Sequence, residues 1–191
     1  MKRASIKTLF KAASVCVFSF SIAIQVFANN SFSVKEGATI KPLIIVLRSI
    51  NNPVSYKVAE TLLSLKNSES SYDLHLRNAD LNYNQIKSIA EAIKTVHENG
   101  GPLLQSFSMS YNSNIGDEGV LILVKNLPQT ITEIGLVQSG IGDKGGEALI
   151  RWATNAKQLR WLCVEENIFS NDIKDRLRKF GQERSDLLVV F

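Results

Sequence analysis

The sequence predicts an α/β solenoid, with one parallel β-sheet on its concave side and α-helices on its convex side. Three observations predict it: a pattern recurring about every 28 residues, a short period-2 apolar run at the start of each recurrence, and apolar residues at helical spacing after it. No such unit can bury its apolar face alone. Stacked side by side, the units shelter one another.

The strand signals come as pairs: Ile45 and Leu47, Leu74 and Leu76, Phe107 and Met109, Ile134 and Leu136, Leu162 and Val164. The steps between first members are 29, 33, 27 and 28, and a further 28 reaches Val190 in the terminal LLVVF. The long step holds HENGGP, which reads as a loop insertion carrying His97. The helix signals follow at fixed offsets of 8 and 12: Ile89 and Ile93 after Leu81, Leu123 and Leu127 after Ile115, Leu149 and Ala153 after Ile141, Leu177 and Gly181 after Phe169. Those offsets put one apolar stripe on each helix. The first unit fits more loosely, through Val58, Leu62 and Leu65.

Residues 1–28 read as an export signal. Lys2, Arg3, Lys7 and Lys11 precede an apolar run from Ala12 to Phe27, and the run ends in Val26-Phe27-Ala28. The segment holds four of the 22 basic residues and none of the 18 acidic ones, so residues 29–191 are formally neutral. The basic pI belongs to the signal and gives no support for nucleic-acid binding. The expected organisation is a signal at 1–28, an arm at 29–42 and about five β/α units at 43–191. A periplasmic or secreted location follows, with no membrane span after cleavage. Cys163 is the one cysteine after the signal, so no intrachain disulfide is expected there.

Two stretches carry a family resemblance. Residues 104–127 read LQSFSMSYNSNIGDEGVLILVKNL and residues 131–153 read ITEIGLVQSGIGDKGGEALIRWA. Both resemble the ribonuclease-inhibitor type of leucine-rich repeat, and a partial likeness extends over about residues 43–191. Gly116 and Gly142 read as tight turns out of the strand, Gly119 and Gly145 as close helix contacts, and Asp117 and Asp143 as N-caps. The resemblance implies a loop asparagine that satisfies buried backbone groups. Asn167 fits it, Asn112 fits with a one-residue shift, and Ser139 and Ala79 stand in elsewhere.

Several motifs suggest chemistry. Gly140–Gly145 is a literal GxGxxG between strand and helix, with Glu165 beyond it, the layout of a dinucleotide-binding turn. The same NIGDEG turn in the preceding unit explains it as repeat identity. Cys163 lacks an adjacent base, since His75 stands three units away. His75, His97 and Cys163 form no metal cluster, and no cofactor is expected. Glu165 and Glu166 face opposite ways on an extended chain, and Lys174, Arg176, Arg178 and Lys179 alternate with acids on one helix.

Alternate strand residues define rows on the concave face: Asp73, Ser106, Glu133, Trp161; then His75, Ser108, Gly135, Cys163; then Arg77, Ser110, Val137, Glu165, with Tyr111 and Gln138 just beyond. The sequence therefore points to a non-enzymatic scaffold that binds a protein or peptide through Asp73, His75, Arg77, Ser108, Ser110, Tyr111, Val137, Gln138, Trp161 and Glu165, with Trp161 as anchor. The alternatives are a nucleotide-binding enzyme using Gly140–Gly145, and a structural subunit that self-associates edge to edge through its last strand.

Overall fold

The computed structural model describes residues 40–65 and 69–191. The export segment at 1–28 and most of the 29–42 arm lie outside the described residues. Helices α1 (Lys41–Ser49) and α2 (Pro53–Leu63) come first. Then β1 (Ser71–His75), α3 (Tyr83–Glu98), β2 (Leu103–Ser108), α4 (Gly116–Asn126), β3 (Glu133–Gly135), α5 (Asp143–Asn155), β4 (Trp161–Cys163), α6 (Asn171–Glu183) and β5 (Leu188–Val190) alternate. The strands form one open sheet in the order β1-β2-β3-β4-β5, parallel throughout. Among the described helices, none is long and apolar enough to cross a membrane.

The strand expected at Ile45 and Leu47 is instead helix α1. Leu43, Ile44 and Leu47 are buried while Ile45 is 57% exposed. That is a helical stripe and not a period-2 face. Pro42 opens the helix, where its missing N–H costs nothing. Asn52 then starts α2, its side chain accepting from Val54 N at 2.8 Å and Ser55 N at 3.3 Å. Four β/α units and a last strand follow this helical pair, in place of five units from residue 43. His97 also lies in a helix, the last turn of α3, and not in a loop. The long step is partly a longer helix, 16 residues against 11 to 13 in α4–α6.

One sheet face is dry. Leu74, Phe107, Ile134 and Leu162, and two positions on Leu76, Met109, Leu136 and Val164, are at most 1% exposed. The helices lay Ile89, Ile93, Leu123, Leu149 and Leu177 into the same core. Each such side chain contributes about 1.5–3 kcal/mol of burial.

The units are also joined through their backbones beyond the strand ends. Asn78 N donates to Ser110 O at 3.0 Å, Tyr111 N to Val137 O at 2.8 Å, and Gln138 N to Glu165 O at 2.9 Å. Asn78, Tyr111, Gln138 and Glu166 all take left-handed backbone, with φ of 52, 63, 48 and 55°. Every unit turns at the same place.

The asparagines are in register after all. Asn112 accepts from Ala79 N and Leu81 N at 3.1 and 3.2 Å and donates to Leu76 O and Met109 O. Asn167 accepts from Ser139 N and Ile141 N, both at 3.0 Å, and donates to Leu136 O and Val164 O. The two residues do the same work two units apart. The apparent shift at Asn112 is an extra residue between it and Ile115, and the left-handed residue of this loop, Gly116, comes after Ile115. Ala79 and Ser139 each precede a left-handed residue instead, Asp80 and Gly140.

Candidate functional site: the open sheet face

The side of the sheet away from the helices carries the rows that the alternation indicated. Asp73, Ser106, Glu133, Trp161 and Leu188 are register partners across the five strands, as are His75, Ser108, Gly135, Cys163 and Val190. Trp161 is 47% exposed. Its neighbour Arg160 turns away to pair with Asp186 at 3.0 Å, leaving the indole face free of that cation. Tyr111 is partly exposed, and the Arg77 guanidinium lies 5.1 Å above its ring centre.

Among the predicted contact residues, Asp73, His75, Arg77, Tyr111, Gln138, Trp161 and Glu165 are exposed, and Val137 is half-buried. Ser108 and Ser110 are buried. Ser108 Oγ donates to Ser110 Oγ at 3.3 Å, and Ser110 Oγ accepts from Val137 N at 3.1 Å. These two serines hold β2 to β3 and form a floor. Gly135 extends that floor, since a Cβ there would lie 3.1 Å from Ser108 Oγ. The result is an open depression of about 310 Å³, with His75, Arg77, Glu133, Gly135, Trp161 and Cys163 in its lining.

Ser106 and Glu133 stood in the rows but not among the predicted contacts. In the structure they complete a polar chain with His75. Ser106 Oγ donates to Glu133 Oε2 at 3.0 Å, and His75 Nε2 sits 2.9 Å from the same hydroxyl. The serine proton goes to the carboxylate, so the ring N–H donates to the serine oxygen. Activating a nucleophile requires the reverse, an imidazole that accepts the hydroxyl proton. The register of the rows was the signal that could have found this chain.

Cys163 Sγ donates to Glu165 Oε2 at 3.4 Å. Burial, and then the Glu165 contact, push its thiol pKa up. Three strand spacings separate it from His75, on the order of 14 Å. The pair stays apart, as the repeat spacing implied.

The glycine-rich turn is committed to its neighbours. Gly142 N and Gly145 N, the amides at the start of α5, donate to Asp117 Oδ1 at 2.7 and 2.9 Å. A Cβ on Gly145 would lie 2.7 Å from that oxygen. Gly140 has φ +67°, and a Cβ on it would meet Ser113 O at 2.4 Å. Asp117 was expected to cap its own helix, yet α4 starts at Gly116 and its N-cap position is Ile115, which offers no side-chain cap. Its carboxylate reaches forward by one unit because the turn places it beside the next helix N-terminus. Asp143 reaches forward likewise, accepting Ser170 N at 2.8 Å, and that bond holds its carboxyl below the usual aspartate range.

No protein-family model matches the chain, and no curated protein matches it. Three of the four basic side chains of α6 are also paired: Arg176 with Glu147, Arg178 with Asp175, and Lys179 with Glu183.

Proposed function

We propose that the chain is a non-enzymatic binding scaffold, a short solenoid of the leucine-rich repeat type that recognises a protein or peptide through its open sheet face. The observation that carries this reading is Trp161, which stands 47% exposed in a registered row beside Glu133 and above a floor of small residues. Exposed aromatics bordered by polar groups are favoured binding anchors. The in-register strands, the recurrent left-handed turn and the asparagine bridges support the solenoid assignment. The basic-apolar-small order of residues 1–28 supports export to the periplasm or beyond.

The nucleotide alternative finds less support. A pyrophosphate needs free amides at a helix N-terminus. Here Asp117 takes the amides of Gly142 and Gly145. Thermal melting with NAD or ATP is expected to show no dose-dependent rise. Self-association keeps one specific observation in its favour, the open edge of the last strand, where Val189 turns its amide and carbonyl away from β4. Light scattering before and after deletion of Leu187–Phe191 tests that reading.

The binding reading itself is tested by a pull-down with wild-type chain and with the Trp161→Ala/Arg77→Ala double variant. A specific partner should be recovered by the first and lost with the second. Equal recovery by both contradicts recognition through this face.

A further inference from the structure

The open face is sorted by size and by charge. Small residues on β2 and β3 make its floor, with Ser106, Ser108 and Gly135 at the centre. His75 and Trp161 stand on the outer strands β1 and β4. Those strands are separated by three spacings, about 14 Å, which leaves room for one extended chain.

Charge decides what that chain carries. Among the described residues, Asp73, Glu133 and Glu165 are exposed and none is within ion-pair distance of a basic side chain. The cations nearby are engaged. Arg77 lies over Tyr111, His75 bonds Ser106, and Arg160 holds Asp186. Three carboxylates against the one guanidinium of Arg77 leave this face net negative. Glu133 and Trp161 are direct register partners on adjacent strands, and only one Glu133 oxygen is taken, by Ser106. A carboxylate beside an exposed indole suits a cation, which gains an ion pair from one and a cation–π contact from the other.

We infer that the groove takes an extended peptide through an Arg or Lys side chain, held between the Trp161 ring and the Glu133 carboxylate. This deepens the binding-scaffold reading and rests on it. Ser106 orients the carboxylate, and Gly135 leaves space for the peptide backbone.

Fluorescence anisotropy with the full chain tests it, using short end-blocked peptides of alternating Arg-Ser, Gln-Ser and Glu-Ser. The Arg-Ser peptide should bind tightest. Glu133→Gln should weaken it roughly tenfold and Trp161→Ala by at least as much. Glu166→Gln, outside the groove, should leave it unchanged. Glu133→Gln keeps the shape of an exposed side chain, so an unchanged melting curve shows that the variant is folded. If Gln-Ser or Glu-Ser binds as well in a Trp161-dependent way, or Glu133→Gln has no effect, the basic-side-chain inference falls and the scaffold reading survives. Preference for a neutral oligosaccharide also overturns the inference. Failure of every peptide to bind at about 1 mM overturns the inference and counts against the scaffold reading.

Discussion

The two ends of the sheet are finished differently. At the β1 end, α1 and α2 bring Leu43, Leu47, Ala59 and Leu62 into the core, each at most 2% exposed. Asn52 Nδ2 ties that pair to the first unit through Ala79 O at 2.8 Å. At the β5 end the cover is thinner: Leu187 is buried, but Val189 and Phe191 pack against the core only partly buried. In a parallel ladder alternate residues bond to opposite sides, so Val189 turns its amide and carbonyl away from β4. Stacked units leave the same apolar cross-section at both ends, and here a dedicated helical pair covers one of them. A lone β/α unit lacks this cover, which is why the first stretch of the domain abandons the repeat pattern.

The contrast predicts unequal mutational costs. Leu47→Ala should lose about 3 kcal/mol in chemical denaturation, whereas Val189→Ala, on the core side of the last strand but only partly buried, should lose about 1 kcal/mol. Equal losses would mean that the last strand is packed as firmly as the first helix. The bridging asparagines sharpen the comparison further inward. Asn112 is 2% exposed, and its alanine variant strands two amides and two carbonyls, at a cost of about 2–3 kcal/mol. Asn167 is half-buried, and water replaces part of what Asn167→Ala removes, so its loss should be the smaller in the same assay.

Asp117→Ala removes a cap that acts across units, and should cost about 1 kcal/mol. Amide exchange should quicken at Gly142 and Gly145 before it quickens in α4. Asp143 gives the smallest effect, and it depends on pH. Its carboxyl is held below the ordinary value of 3.8 by the Ser170 amide. Its stabilising share is therefore complete above that value and is lost as pH falls through the lowered one. Asp143→Asn should flatten the acid limb of a stability-against-pH curve and leave the alkaline limb unchanged.

Much of the fold was legible because it repeats. The Leu81, Ile115, Ile141 and Phe169 offsets of 8 each mark a buried helical position, those of 12 do so at Ile93 and Ala153 but fall on the C-cap at Leu127 and on half-buried Gly181, and the strand rows lie in the order that alternation gave them. The first unit misled because LIIVLRS satisfies period 2 at Ile45 and Leu47 as well as a helical stripe at Leu43, Ile44 and Leu47. Tertiary packing chose between them. At the site, Trp161 and its row could be read from the sequence. The forward reach of Asp117 and the Ser106–Glu133 bond could not, since both depend on how one unit is set against the next.

Amide hydrogen exchange tests the central claim most directly, comparing the free chain with the chain bound to whatever partner its Trp161-dependent pull-down recovers. Protection is expected along 73–77, 106–111, 133–138 and 161–165, the strands and turns that form the open face. Protection confined to the helices, or to the Gly140–Gly145 turn, would contradict it.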